Sequence, residues 1–311
     1  MTGLAKLHSK RILVTGAGGQ LGSYLLPLLP ANEVLATGST IRHGVDEILD
    51  IRDAEAVAST VSAWKPDVIF HAAAWTDVDG AERDPEGARA VNVDGSRNVA
   101  VAAARAGARL IAVSTDFVFS GTKGEPYMEG DPTDPISVYG ATKRDGEIAM
   151  LEACPTALVA RTAWLYGGAG KHFPRTVVTV LRDRGSIEVV DDEFGSPTFA
   201  ADLAKALVEV AATDLEGVVH FVNSGRASRY EFAERVAAKA SFRGGSVLPT
   251  STQAFLAKYP LPARRPADSE LLNTRAKARS IELRTWQEAV DEYVPRLAHE
   301  LDLMSSTRQG V

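Results

Sequence analysis

The chain has only one cysteine, few aromatic residues and no excess of positive charge. Cys154 is the single thiol among 311 residues, so an internal disulfide is excluded and a reducing compartment is favoured. Lysine and arginine number 34 against 40 acidic residues, a net charge of −6. Because the two signs are interspersed and no basic run occurs, the sequence argues against a nucleic-acid partner.

Long apolar runs are also missing. No stretch approaches the roughly 20 residues that a membrane-spanning helix needs. The apolar run after Lys10 and Arg11 is too short for a signal peptide. We therefore expect a cytoplasmic protein without a membrane partner. With 45% hydrophobic residues, the chain is long enough to bury a large core.

A glycine-rich turn lies between a predicted strand and a predicted helix near the N-terminus. Glycines permit a tight turn and the close approach of a pyrophosphate, and the helix N-terminus that follows favours this anion. In this strand–turn–helix context, the motif predicts a dinucleotide site rather than a purely structural turn. The loop residues expected at the cofactor are Gly16, Gly19, Gln20, Leu21 and Gly22.

A second pattern combines a hydroxyl, a phenol and an ammonium. Thr115 ends an apolar run typical of a buried strand, and Tyr139 and Lys143 are four residues apart, so a helix would place both on one face. Thr115 could hydrogen-bond a carbonyl oxygen and Tyr139 could protonate it. Lys143 could lower the phenol's pKa from its usual value of about 10. These are the groups needed to reduce a ketone, although the Tyr–Lys spacing alone is common.

Taken together, these motifs resemble the extended short-chain dehydrogenase/reductases, and finer matches resemble one branch, the dTDP-4-dehydrorhamnose reductases. The resemblance covers the chain from about residue 10 to about residue 300. It implies NAD(P)H-dependent reduction of the 4-keto group of dTDP-4-dehydro-6-deoxy-L-mannose to dTDP-L-rhamnose. The matching segments are residues 72–82, 91–93, 114–119, 161–167 and 192–198, together with Arg265, Pro266 and Ser269.

Two other functions stay open. One is a 4-ketoreductase for another nucleotide-linked deoxysugar, because the pocket residues decide the substrate. The other is a non-catalytic, dinucleotide-binding regulatory subunit, like that of methionine adenosyltransferase in the same superfamily. The intact set of Thr115, Tyr139 and Lys143 argues against a regulatory role. A dehydratase is disfavoured because Asp116 is followed by Phe117, where that branch has a glutamate.

Strand and helix patterns alternate through the first half of the chain. This alternation predicts an α/β fold, a Rossmann-type doubly wound parallel sheet with helices on both faces. We assign residues 1–167 to the dinucleotide-binding domain. Residues 168–311 would mainly form a smaller, interleaved substrate-binding lobe, with a segment at about 186–225 returning to the sheet. The predicted strands are 11–16, 33–38, 47–50, 67–73, 109–115, 157–163 and 218–222. The predicted helices are 20–29, 53–64, 84–106, 137–153, 173–184, 199–212, 229–240 and 285–301.

The end of the second predicted strand bears on the choice of cofactor. NAD-specific Rossmann proteins carry an acid there for the ribose 2′-OH, but this chain has none before Asp46. Ser39 and Arg42 could instead receive a 2′-phosphate, so we favour NADPH over NADH. An exposed loop that contacts nothing is the alternative. By resemblance, further cofactor contacts would come from Asp50, Ile51, Ala73, Ala74, Trp75, Thr76, Val113, Tyr139 and Lys143.

The resemblance also implies a set of contacts to a nucleotide-sugar substrate. A flat ring at Trp164 suits a deoxyhexose face, although an aromatic core residue is the alternative. Arg265 is the preferred cation for the diphosphate. The implied substrate contacts are Thr115, Asp116, Trp164 and Arg265. Other cations considered for the diphosphate are Arg264, Lys171 and Arg175.

Some relatives hold magnesium at a dimer interface through a glutamate two residues after the last loop glycine. This chain has Tyr24 at that position and Ala201 near the place of a second acid. Neither side chain is a suitable ligand for a hard cation, which needs one or two carboxylates. We therefore predict no metal, and the sequence leaves both a monomer and a homodimer open.

Overall fold

A parallel sheet of seven strands forms the centre of the computed structural model, which describes residues 7, 9–168, 170–240 and 245–308. The strands are β1 (Ile12–Thr15), β2 (Val34–Gly38), β3 (Glu47–Ile48), β4 (Val68–His71), β5 (Arg109–Thr115), β6 (Leu158–Thr162), β7 (Leu165–Tyr166), β8 (Ser186–Val190), β9 (Phe194–Gly195), β10 (Thr198–Phe199), β11 (Gly217–His220), β12 (Ala227–Ser228) and β13 (Ser246–Thr250). The sheet has the order β11-β6-β5-β4-β1-β2-β3, and β7–β10, β9–β12 and β8–β13 form short pairs. This order is that of a doubly wound sheet, so the predicted fold class is confirmed.

Helices pack on both faces of the sheet. They are α1 (Gln20–Leu25), α2 (Ala54–Trp64), α3 (Val78–Arg83), α4 (Pro85–Arg89), α5 (Ser96–Ala106), α6 (Val138–Ala153), α7 (Phe173–Arg184), α8 (Ala200–Ala211), α9 (Arg229–Ala240), α10 (Thr252–Lys258), α11 (Thr274–Lys277) and α12 (Trp286–Arg308). A π-helical segment, Ala90–Gly95, joins α4 to α5. Short 3-10 helices cover Leu26–Leu28, Ala31–Glu33 and Asp116–Val118. Within the described ranges, no helix is both long and apolar enough to span a bilayer.

Elements with a strong local pattern lie where the sequence predicts them. The bounds of β5, α7 and α9 match the predicted ones, and α12 runs further than predicted, to Arg308. The predicted helix 84–106 contains the π-helical segment. The two-residue strands β7, β9, β10 and β12 and the short helix α3 were not predicted, because they are too short to show a periodicity. The five-residue strands β8 and β13 were missed as well.

Alternate residues of each strand point to opposite faces of the sheet, so the core forms separate clusters on the two faces. Along β1, Leu13 packs with Ile69 and Leu110 on one face, whereas Ile12 and Val14 pack on the other. A further cluster forms in the C-terminal half of the chain, around the aromatic residues Tyr166, Phe199, Phe232, Trp286 and Tyr293. The lobe boundary at residue 167 stays a prediction, although the strand β11 from the second half does pair with β6.

Helix α6 lies unusually close to the elements beneath it. A Cβ at Gly140 would lie 2.1 Å from the carbonyl oxygen of Phe117, and one at Gly146 would lie 2.2 Å from that of Asn92. Directly after Gly146, Glu147 accepts two hydrogen bonds from the Arg161 guanidinium in β6, at 2.9 and 2.6 Å. Because the pair is almost fully buried, breaking it would leave an uncompensated charge inside the protein.

We predict that Gly146→Ala destabilises the fold. The added methyl group would collide with backbone, at a cost of about 1–3 kcal/mol, which outweighs the roughly 1 kcal/mol that alanine gains in a helix. Urea unfolding would measure the free energy of unfolding. Gly130→Ala is the matched control, since a Cβ there meets nothing within 4 Å. Equal stability of the two variants would contradict the close packing of α6.

Candidate active site

The glycine-rich loop forms a cradle at the carboxyl end of β1. Gly16 has φ +72°, and a Cβ there would lie 2.5 Å from the backbone nitrogen of Ala73. A Cβ at Gly22 would lie 2.0 Å from the Ala17 carbonyl oxygen. Larger residues are thus excluded at both positions. Gly19 precedes α1, whose first residues are Gln20 and Leu21, so the free N–H groups of a helix N-terminus face the loop. This arrangement fits the pyrophosphate of a dinucleotide.

The loop after β2 lies beside this cradle. The Arg42 side chain lies along Gly18, where an added Cβ would lie 3.4 Å from the Arg42 Cβ. Its Nε donates to Thr40 Oγ1 at 3.0 Å, and Ser39, Thr40 and Arg42 are all exposed. Arg42 therefore lies close to the loop that would hold a cofactor, as a 2′-phosphate contact requires.

Asp50 and Ile51, which the resemblance places at the cofactor, differ in burial. Asp50 pairs with Arg52 at 2.6 Å, which holds the pKa of that carboxyl below its usual value. Ile51 is buried, and a Cβ at Gly95 would approach its side chain to 2.7 Å. Ile51 thus has a packing role as well as the predicted cofactor role.

The segment after β4 contains Ala73, Ala74, Trp75 and Thr76, and a buried asparagine holds it. Asn92 accepts from the Trp75 backbone N–H at 2.9 Å and donates to the Trp75 carbonyl at 3.2 Å. It also donates to Thr142 Oγ1 in α6 at 3.1 Å. We assigned Asn92 no role from the sequence. It links this segment of predicted cofactor contacts to the helix that carries Tyr139 and Lys143.

Thr115 and Asp116 lie at the carboxyl end of β5. Thr115 Oγ1 donates to Asp116 Oδ1 at 3.0 Å, and Ser269 Oγ donates to Asp116 Oδ2 at 2.6 Å. Burial raises the pKa of Asp116 to about 6, and these two hydroxyl donors oppose the rise. The carboxyl group is therefore held in place by a residue 153 positions away in the sequence.

Tyr139 and Lys143 lie on the buried face of α6. Lys143 Nζ donates to the Val113 carbonyl oxygen in β5 at 2.9 Å, which joins two predicted cofactor residues. Burial lowers the pKa of Lys143 to about 8, and Glu147 opposes that shift. Burial raises the pKa of Tyr139 to about 12, although the Thr115 hydroxyl lowers it in part. The predicted lowering of the phenol's pKa by Lys143 is therefore wrong for this structure, because burial raises the pKa and the Asp116 carboxylate raises it further.

The predicted substrate side contains one arginine that we missed. Trp164 has φ +45° and is half-buried, and the guanidinium carbon of Arg229 lies 3.6 Å from its ring centroid. Phe232 stacks on the same indole at 6.5 Å, so Trp164 also has the packing role that we left open. Arg265 pairs with Asp79 at 2.8 Å. The sequence held no signal for Arg229, because only the tertiary fold brings it to Trp164.

Arg175, a candidate for the diphosphate, and Tyr24, at the position where some relatives bind metal, both contact other parts of the protein. Arg175 pairs with Glu300 at 3.0 Å, so its charge is already compensated. The Tyr24 hydroxyl accepts from the Gly168 backbone N–H at 3.1 Å, and its ring packs on Phe199 at 5.3 Å. Within the residues that the structure describes, no group of three or more His, Cys, Asp or Glu side chains could hold a metal ion.

A cradle for a dinucleotide, joined to a buried Thr–Tyr–Lys set at the carboxyl ends of parallel strands, defines a reductase of the extended short-chain dehydrogenase/reductase type. Comparison with known proteins agrees. The family described as RmlD substrate binding domain matches residues 10–299. The dTDP-4-dehydrorhamnose reductase of Streptomyces griseus is 42% identical over 92% of this chain and 94% of the relative.

Solved structures agree as well. A crystal structure of the Bacillus anthracis dTDP-4-dehydrorhamnose reductase in complex with NADP superposes with a TM-score of 0.85, at 35% identity over 91% of this chain and 98% of that one. A Streptomyces antibioticus protein named as a probable dTDP-4,6-dihydroxy-2-methyloxan-3-one 4-ketoreductase is 39% identical, over 92% of this chain and 95% of the relative. The chain belongs to the dTDP-4-dehydrorhamnose reductase family.

We predict that Arg42→Ala weakens NADPH more than NADH. A lost charge-assisted contact to a 2′-phosphate corresponds to about a 10- to 100-fold loss of affinity. NADH lacks that phosphate and should be nearly unaffected. Fluorescence titration with both cofactors would measure the change, with Arg105→Ala at the exposed end of α5 as the control. An equal loss for both cofactors would place Arg42 outside the ribose site.

We also predict a basic limb in the pH profile. An ammonium with a pKa of about 8 is charged below that pH and neutral above it, so kcat/KM for NADPH should fall as pH rises through about 8. His71 lies beside Lys143 and is neutral throughout this range, because burial lowers its pKa to about 3. Lys143→Met should be slow at every pH and lack this limb. If the limb persists in that variant, another group titrates.

Proposed function

We propose that the protein reduces the 4-keto group of dTDP-4-dehydro-6-deoxy-L-mannose with NADPH, forming dTDP-L-rhamnose. The observation that carries the proposal is the buried set of Thr115, Tyr139 and Lys143 at the carboxyl ends of β5 and along α6, in a chain of this family. Membership of the family supports the substrate, and relatives with the same name are 38–42% identical.

The cofactor proposal rests on the glycine cradle and on its neighbours. Gly16, Gly19 and Gly22 would face the diphosphate, and Arg42 the 2′-phosphate. The NADP complex of the Bacillus anthracis relative supports this choice over NADH. Bound NADPH would supply a hydride to the sugar carbon.

The protein's own groups would supply the proton and hold the ketone. Tyr139 is protonated at neutral pH, since burial raises its pKa to about 12, so it can donate to the carbonyl oxygen as that oxygen gains charge. The Thr115 hydroxyl would hydrogen-bond the same oxygen after turning away from Asp116. Lys143 Nζ, held by the Val113 carbonyl oxygen, would contact the cofactor beside the phenol.

The remaining assignments complete the proposal. Residues 1–167 would bind the cofactor and residues 168–311 mainly the sugar nucleotide, with contacts from Asp116, Trp164 and Arg265. We propose a cytoplasmic location and place no metal in the reaction. The chemistry is compatible with either a monomer or a homodimer.

A second candidate is reduction of a different nucleotide-linked 4-keto deoxysugar. The Streptomyces antibioticus relative, whose name describes such a ketoreductase, supports this alternative at 39% identity. The two functions differ only in which sugar the cleft accepts. An NADPH-oxidation assay with dTDP-4-dehydro-6-deoxy-L-mannose, followed by NMR of the product, would test the proposal. The absence of dTDP-L-rhamnose among the products would overturn it.

We predict that Tyr139→Phe lowers kcat by about 10²–10⁴-fold, the usual contribution of a general acid. NADPH affinity should stay near normal, because only the proton donor is removed. Steady-state kinetics and a cofactor titration would measure the two effects. Tyr259→Phe, on an exposed ring, is the control. If Tyr139→Phe retains more than about a tenth of the activity, Tyr139 is not the acid.

A further inference from the structure

Arg229 begins α9, and the start of that helix is firmly fixed. Ser228 Oγ accepts from the Glu231 backbone N–H at 3.0 Å, and Glu231 Oε2 accepts from the Ser228 backbone N–H at 2.7 Å. This reciprocal arrangement is a capping box. The backbone N–H of Arg229 also donates to the Glu193 carbonyl oxygen at 3.0 Å. The side chain of Arg229 therefore leaves the backbone from a well-defined position.

The guanidinium of Arg229 lies on the predicted substrate side. It lies over Trp164 at 3.6 Å and 5.4 Å from the ring centroid of Phe173, and the residue is half-buried. Trp164 follows β6, and its neighbour strand β5 ends at Thr115 and Asp116. Asp116 and Glu193 are the acids that act on Arg229 electrostatically. Arg229 thus lies near two of the residues proposed to touch the sugar, Trp164 and Asp116.

A comparison with Arg226 shows what Arg229 lacks. The guanidinium of Arg226 also lies 3.6 Å from an aromatic centroid, that of Phe194. It donates twice to Asp268 Oδ2, at 3.0 and 2.8 Å, so its charge is compensated. For Arg229, no carboxylate in the described part of the chain lies within 4 Å, and no described atom accepts from its guanidinium. Both guanidiniums stack on a ring, but of the two only Arg226 forms an ion pair within 4 Å in the described part of the chain.

Arg229 is influenced by charges of both signs, the acids Glu193 and Asp116 and the cation Arg265. Burial lowers its pKa to about 10, so it stays charged at neutral pH. Arg265 acts on it as a second, repelling cation, and Arg265 is itself paired with Asp79. A partly desolvated cation without a partner is costly, and two cations that repel each other add to that cost. An anionic group bound between the two arginines would relieve both penalties.

We propose that Arg229 binds a phosphate oxygen of the nucleotide-sugar diphosphate, so that this chain uses Arg229 in addition to Arg265 on the substrate side. This inference rests on the proposed function for the identity of the ligand. A planar guanidinium with several free N–H donors suits two phosphate oxygens at once. Stacking on Trp164 would hold the guanidinium in place without using any of those donors.

The test is binding of dTDP, which carries the diphosphate but no sugar. Arg229→Met keeps an unbranched apolar side chain over Trp164 and removes the charge. We expect its Kd for dTDP, measured by calorimetry, to rise about 10- to 100-fold, while thymidine, followed by NMR titration, binds as it does to the unaltered protein. Arg226→Met is the matched control and should leave dTDP binding unchanged. Arg229→Lys should recover part of the loss.

Several outcomes would count against the proposal. An unchanged Kd for dTDP together with a raised KM for the keto sugar would place Arg229 at the sugar. Equal losses for dTDP and thymidine would show a distorted pocket, as would a loss of NADPH affinity in the same variant. An unaltered protein that does not bind dTDP would also overturn the inference. A protein that binds dTDP through Arg229 but does not reduce the keto sugar would instead refute only the proposed function.

Discussion

The close approach of α6 to the sheet is the constraint on which the candidate site depends. Gly140 and Gly146 let the helix backbone contact the carbonyls of Phe117 and Asn92, and a side chain at either position would push the helix away. Only at this separation can Lys143 reach the Val113 carbonyl at 2.9 Å. The helix itself places Tyr139 and Lys143 on one face. Their distance from Thr115 depends instead on the two glycines, which let the helix approach.

Burial then determines the charge state of each group in the cleft. It raises the pKa of Asp116 and Tyr139 and lowers that of His71 and Lys143, so each shift favours the neutral form. Lys143 is the group for which a nearby anion, Glu147, opposes the shift. Arg161 in turn donates two hydrogen bonds to the Glu147 carboxylate. A buried ion pair distant from the substrate thus supports the charge of the lysine.

Local patterns predicted much of this structure, and long-range contacts explain what they missed. The strands and the glycine loop follow from periodicity and turn chemistry within about 15 residues. The contact of Ser269 with Asp116 joins residues 153 positions apart, and that of Arg265 with Asp79 joins residues 186 apart. Nothing near Arg229 in the sequence distinguishes it from a solvated helix residue. The pKa of Tyr139 was likewise misjudged, because spacing reveals a neighbouring lysine but not the depth of burial.

The net charge of the chain is a poor guide to its ligands. A protein with a charge of −6 would repel a phosphorylated substrate if all charges acted equally. At physiological ionic strength, however, exposed charges more than about 8 Å apart are largely screened, so the groups lining the cleft dominate. There the helix N-terminus after Gly19 and the arginines at positions 42 and 229 present positive potential. Other arginines are paired with acids, so their charge is compensated. The few cations without such a pair therefore decide which ligands the site attracts.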